Sequence, residues 1–150
     1  LSSAASDVYK RQHVIGSVRK IRGFFLIHNQ TSRIFAKKRS IMKVKHEYER
    51  MPANEVWNVV VAYINKNKQF LSSTGIKYNA KVIIDSIEYK GGREGSVRAT
   101  EGESISKNQF ISAFRQIRDM ECINTKNVKP YIDRKQSPFV GLLKSVGIIE

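Results

Sequence analysis

The sequence predicts an α+β fold: an N-terminal helix, a small antiparallel sheet built on a hairpin, and three C-terminal helices. Three observations predict it. The chain has 150 residues, 41% hydrophobic and 27% charged, a balance suited to one ordinary core. Phe110, Ile111, Phe114, Ile117 and Met120 recur at helical spacing behind Ser106-Lys107-Asn108-Gln109, a capping-box pattern. Gly91-Gly92-Arg93-Glu94-Gly95 separates two stretches of strand character, as a hairpin connection does.

The elements follow in order. Pro52 suits the first turn of a helix, where its missing N–H costs nothing. Glu55 then lies near the positive end of the helix dipole. Val56, Trp57, Val59, Val60, Val61, Tyr63 and Ile64 cover more than one stripe, so this helix is expected to bury a broad face. Its β-branched density competes in favour of a strand, but its length and the polar tail Asn65-Lys66-Asn67-Lys68 decide for a helix. Ser72-Ser73-Thr74-Gly75 is a turn. Lys81 to Lys90 predicts one strand, bulged near Asp85-Ser86 where the alternation slips. Ser96 to Thr100 is the expected return strand, with a short addition to the sheet around Ile105. The capping box opens the next helix. Asn124-Thr125 caps a short helix through Val128 towards Tyr131, distorted by Pro130. Ser137 is the expected N-cap of the last helix, with Pro138 as its first residue. Phe139, Leu142, Leu143 and Val146 form its apolar face, Gly147 ends it, and Ile148-Ile149 begins a strand. The predicted core holds Trp57, Val60, Ile64, Ile83, Phe110, Phe114, Ile117, Leu142 and Leu143.

The formal charge is +14, but it is unevenly spread. Residues 1–41 hold nine lysines and arginines against one aspartate; residues 42–150 hold 18 basic and 12 acidic residues, a net +6. Asp7-Val8-Tyr9-Lys10-Arg11-Gln12 back-translates as GAT GTG TAT AAG AGA CAG, which resembles the transposon mosaic end of sequencing-library adapters. Lys38 to Met42 can be encoded as AAA AGG AGT ATT ATG, a ribosome-binding-like stretch ahead of a start codon. Residues 1–41 are therefore expected to be a disordered or non-native leader, and 42–150 a single α+β domain starting at Met42. Phe24-Phe25-Leu26-Ile27 is too short for a signal-peptide core, and no apolar run is long enough to span a bilayer. A cytoplasmic protein with no membrane partner is expected.

Several chemistries are set aside. One cysteine, Cys122, excludes a disulfide framework and a Cys-rich zinc site. The histidines are His13, His28 and His46, so nothing later supplies an imidazole base or ligand. The glycine-rich segment lacks the Gly-Lys-Ser/Thr ending of a phosphate loop. No enzymatic activity, bound metal or cofactor is expected. Glu88-Tyr89-Lys90, with Asp85 before it, resembles the tail of a metal-dependent nuclease motif. In one extended strand, however, Asp85 and Glu88 would face opposite ways, as in a solvated charge pattern.

Asn124 to Glu150 reads as a short capped helix, a polar turn (Asp133-Arg134-Lys135-Gln136), a second helix, then Gly and an apolar pair. This resembles the helix-turn-helix and opening wing strand of winged-helix DNA-binding proteins. The resemblance implies that the second helix enters the major groove, with Arg134, Lys135 and Ser137 at its phosphate-facing entrance and Lys144 further along. Pro130 departs from that pattern, and a wing would need residues beyond Glu150. The same residues also suit two small helices closing a core beside a solvated basic turn. Arg93 and Arg98 are further candidates for polyanion contact, while Tyr78, Tyr89 and Tyr131 either pack or stack on a base. The expected function is a small basic, non-catalytic nucleic-acid-binding module, DNA favoured, of bacterial or phage origin. The alternatives are a protein-binding adaptor or inhibitor of phage or defence type, and a metal-dependent nuclease fragment.

Overall fold

A computed structural model describes residues 41–150; apart from Ile41, the expected leader lies outside the described residues. Six helices and one four-stranded antiparallel sheet make up the described part. After a single turn, α1 (His46–Glu49), the chain enters α2 (Ala53–Asn67) with Pro52 as its extended N-cap, so the helix begins one residue later than predicted. α2 buries Ala53, Val56, Trp57, Val60 and Ile64, a single stripe at helical spacing. Val59, Val61 and Tyr63 flank it half-buried, so the buried face is narrower than expected. Lys68 ends the helix in the left-handed region at φ 57°, and its N–H bonds the Ile64 carbonyl at 2.8 Å.

The sheet is a meander of β1 (Gln69–Leu71), β2 (Lys77–Ile83), β3 (Ser86–Gly91) and β4 (Glu103–Ser106), in that spatial order. Phe70, Tyr78, Ala80, Ile87, Tyr89 and Ile105 point to the core. The opposite face carries Lys77, Asn79, Lys81 and Lys90, all exposed. Ser72 organises the β1–β2 turn, its hydroxyl accepting from the Ile76 N–H at 3.0 Å.

Two expectations about the sheet are corrected. Lys81 to Lys90 is not one bulged strand: the chain reverses at Ile84-Asp85, closed by the Ile83–Ser86 pair. Of the two turn residues only Ile84 is left-handed, at φ 52°, the φ pattern of a type II′ hairpin. The Ser86 hydroxyl donates to the Ile83 carbonyl at 3.0 Å, and the Lys107 N–H to the Asp85 carbonyl at 2.7 Å, which holds the turn. Ile83 consequently faces away from the core and is only half-buried. Ser96 to Thr100 is not a strand either. Ser96 accepts from the Ala99 N–H at 3.3 Å and caps a helical turn, α3 (Val97–Thr100). The return strand is β4, where Tyr89 faces Glu103 and Ile87 faces Ile105.

α4 (Lys107–Ile117) carries both halves of the capping box, and buries Phe110, Ala113, Phe114 and Ile117. Phe110 sits at the centre of the aromatic core, 5.3 Å from Trp57, 5.6 Å from Phe139 and 6.0 Å from Phe114 between ring centroids. Met120 lies past the helix end. α5 (Thr125–Val128) is one turn, capped by Asn124. α6 (Gln136–Val146) begins earlier than predicted, with Lys135 as N-cap and no side-chain cap. Ser137 and Pro138 therefore fall inside its first turn, where Pro withholds an N–H that has no helical acceptor anyway. Ser137 is drawn away from capping by Ser73: their hydroxyls are 2.8 Å apart, and the Ser73 N–H reaches the Ser137 carbonyl at 3.2 Å.

Every residue from Pro138 to Leu143 is buried. At Gly141 the helix backbone lies directly against the backbone of Leu71 and Ser72, leaving no room for a Cβ. Gly147 caps the helix at φ 87°. Ile149 then forms an antiparallel bridge with Val44, flanked by the Lys43 N–H to Glu150 carbonyl bond at 2.8 Å.

Two stability outcomes follow. Phe114 is fully buried, so Phe114→Ala is expected to cost about 3–5 kcal/mol in urea unfolding. Ile84 is 92% exposed and left-handed, a strained setting for a β-branched residue. Relief of roughly 1–3 kcal/mol of strain outweighs the entropy cost of about 0.5–1 kcal/mol for glycine. Ile84→Gly is therefore expected to raise the urea midpoint, by about 1 kcal/mol of stability at unchanged m-value.

Candidate nucleic-acid interface

Two basic segments far apart in sequence meet at one corner of the fold. The first runs from the glycine-rich connection through α3 and carries Arg93 and Arg98. Gly91 starts it at φ 150°, where a Cβ would strike the Tyr78 ring and the Lys77 carbonyl, so only glycine lets the chain leave β3 here. Arg93 is exposed on this loop. The second segment is the turn between α5 and α6, with Arg134 exposed and left-handed at φ 63°.

Arg98 joins them. Its Nε donates to Glu103 Oε2 at 2.6 Å, and a terminal guanidinium nitrogen donates to the backbone carbonyl of Arg134. The Tyr89 hydroxyl donates to the same Glu103 oxygen at 2.7 Å. The Arg98 and Glu103 side chains are only 30% and 24% exposed, so water screens their pair less than it screens a surface pair. Burial, then the hydrogen bond to Glu103, pushes the Tyr89 hydroxyl well above the ordinary tyrosine range. Burial works against the Arg98 charge, but the Glu103 carboxylate outweighs it and holds the guanidinium above its ordinary value.

Next to this junction, Lys135 Nζ donates to Gln109 Oε1 at 3.2 Å, the oxygen that also accepts from the Ser106 N–H in the capping box. The starts of α4 and α6 are thereby linked. Neither helix has an acidic residue in its first turn, so both positive dipole ends stay uncompensated there. Asp133 is the acid in the adjoining turn.

The corner thus unites Arg98, Arg134 and Lys135, with Arg93 on the loop leading into it. The other two candidates lie apart. Ser137 is bonded to Ser73, and Lys144 is exposed in the last turn of α6, about 12 Å along the helix from Gln136. Because residues 138–143 are enclosed, the exposed surface of α6 is confined to its two ends. Glu103 and Gln109 were not singled out as site residues from sequence, and Tyr89, named there as packing or stacking on a base, is buried with its hydroxyl on Glu103. Only Gln109 carried a signal, its place in the capping box, and that signal spoke of helix initiation alone.

Asp85 sits in the β2–β3 turn, and Glu88 is on the outer sheet face, 3.3 Å from Lys81. Among the described residues no three His, Cys, Asp or Glu side chains gather as metal ligands do. An open concavity of about 500 Å³ on the outer sheet face is lined by Asn79, Lys81, Glu88, Lys90, Glu101 and Ser104, a mixture of both charges. No helix of the described residues is long and apolar enough to cross a membrane. No protein-family model matches the chain, and neither a curated protein nor a solved structure is significantly similar to it.

Tyr89 sets an alkaline signature. Its pKa is higher in the folded state than its ordinary value of about 10. Above that pH the unfolded chain releases a proton that the folded chain keeps, so stability falls as pH rises. Urea midpoints measured from about pH 9 to 11 are expected to decline, and Tyr89→Phe to remove part of that decline.

Proposed function

We propose that this protein is a non-catalytic nucleic-acid-binding module, with duplex DNA as the favoured ligand. It grips the phosphate backbone through Arg93, Arg134 and Lys135. The observation that carries the reading is the contact of Arg98 with the Arg134 carbonyl, which brings together basic segments 36 residues apart. A net charge of +6 spread evenly over residues 42–150 would give weak attraction; Arg134 and Lys135 beside two helix starts free of acidic residues, with Arg93 on the adjoining loop, give an anionic backbone a definite landing place. Phosphate contacts position a protein without reading sequence, so binding is expected to be sequence-tolerant.

A protein-binding adaptor is the second reading, and one observation favours it. Ile84 is displayed at a hairpin tip, 92% exposed, in a conformation that costs the fold stability and contributes nothing to its core.

Salt titration of duplex binding tests the first reading. Three neutralised phosphates give a log–log slope of about −3, and the double change Arg134→Ala, Lys135→Ala flattens it by about 2. All sequences weaken alike in that variant. The comparison of residues 42–150 with the full chain is decisive, because residues 1–41 add a net +8 of their own. Binding that disappears with removal of residues 1–41 would retire the nucleic-acid reading in favour of the adaptor.

A further inference from the structure

We propose that Arg98 is a positioning residue of the basic corner and not one of its phosphate contacts. The chain Tyr89–Glu103–Arg98 ends on the Arg134 carbonyl and sets the direction in which Arg134 and Lys135 meet an anionic backbone. The ligand in this inference rests on the nucleic-acid reading above; the clamp stands on its own hydrogen bonds.

Arg98 is basic, yet two of its three guanidinium nitrogens are engaged inward, Nε on Glu103 and a terminal nitrogen on the Arg134 carbonyl. To turn out towards a phosphate it would abandon a half-buried carboxylate and break its bond to the turn. The Glu103 oxygen would then keep only the Tyr89 hydroxyl as partner. A half-buried charge stripped of its counter-ion is costly, so the inward arrangement is strongly held.

The far end of the clamp explains what is gained. Arg134 is left-handed, a conformation that a residue with a Cβ seldom adopts without support. A charge-assisted bond to its carbonyl fixes the peptide that follows it, hence the direction of Lys135. Lys135 is the N-cap of α6 and makes no side-chain cap, so local capping does not orient the turn. The turn is closed by the Lys135 N–H on the carbonyl of buried Ile132 at 3.2 Å, and its side-chain ties to other elements run through Arg98 on one side and the Lys135–Gln109 bond on the other. Glu103, an acid inside a basic site, then has a use: it aims the cation that aims the turn.

The test turns on a sign. Removing a negative charge near a polyanion site ordinarily strengthens binding. If Glu103 works through Arg98, Glu103→Gln weakens duplex binding by the full chain. Arg98→Lys, which keeps the charge but not the planar fork, weakens it too, each about five- to tenfold. The salt slope stays unchanged in both, since no phosphate contact is lost. In hydrogen exchange on the free protein, the Lys135 amide, bonded to the Ile132 carbonyl at 3.2 Å, exchanges faster in both variants, while the amides of α4 and β3 keep their protection. Tighter binding by Glu103→Gln, full affinity in Arg98→Lys, or a slope flattened by about 1 in Arg98→Ala would each overturn the proposal. Exchange rising throughout the core would also overturn it, by making Arg98 a general support of the fold. If the unaltered chain binds no duplex, the nucleic-acid reading falls. The clamp is then judged by exchange alone: faster exchange of the Lys135 amide, with α4 and β3 still protected, upholds it, and unchanged exchange at Lys135 ends it.

Discussion

Gly141 lets the backbone of α6 press against Leu71 and Ser72, and much of the described fold depends on that approach. A helix so close to a strand buries six consecutive residues, Pro138 to Leu143, on all its sides. Its two ends are pinned by hydroxyls: Ser137 to Ser73 at the start, and Ser145 to the Leu71 N–H near the finish. With α6 fixed along the first hairpin, Phe139 reaches Phe110, and through it α4 and α2 are drawn into the same core. The start of α6 then has one place to lie, next to the start of α4. The basic corner is a consequence of how the core is packed.

Helices were legible where a local rule and the global packing agreed. Ser106 and Gln109 form the capping box, and the residues behind them bury themselves as their spacing implies. The hairpin at Ile84-Asp85 was illegible because its left-handed position holds isoleucine, where turn rules look for glycine or asparagine. A continuous apolar run through Val82, Ile83 and Ile84 concealed the reversal, and Ile83 was assigned to the core for the same reason. Ser96 and Ser137 show one residue type with two outcomes. Ser96 had no competing partner and capped a helix; Ser137 met Ser73, a residue 64 positions away, and did not. Spacing along one segment cannot report a partner on another.

The site was half legible by the same logic. Charge alone marked Arg93, Arg98, Arg134 and Lys135. It could not separate a guanidinium turned outward from one turned inward, because that depends on Glu103 and Tyr89 facing each other across β3 and β4. Nor could it tell that Lys144, on the same helix as Ser137, belongs to another part of the surface. Cationic residues advertise themselves in composition, whereas the carboxylate that orients one of them looks like ordinary surface acid until the strand register is known.

The bridge between Val44 and Ile149 has a mechanical side. Lys43 and Glu150 exchange backbone hydrogen bonds in both directions, at 2.8 and 3.0 Å, so the chain enters and leaves the described unit at neighbouring points. A force applied through those two points loads the bridge one bond at a time, as a zipper is opened, and does not shear several bonds together. On the entering side the Met42 carbonyl also accepts from the N–H of buried Ile123 at 2.7 Å, so that bond is loaded before the Lys43–Glu150 pairing. Points of entry and exit this close also mean that the unit could be spliced into a surface loop of a larger polypeptide without stretching its host.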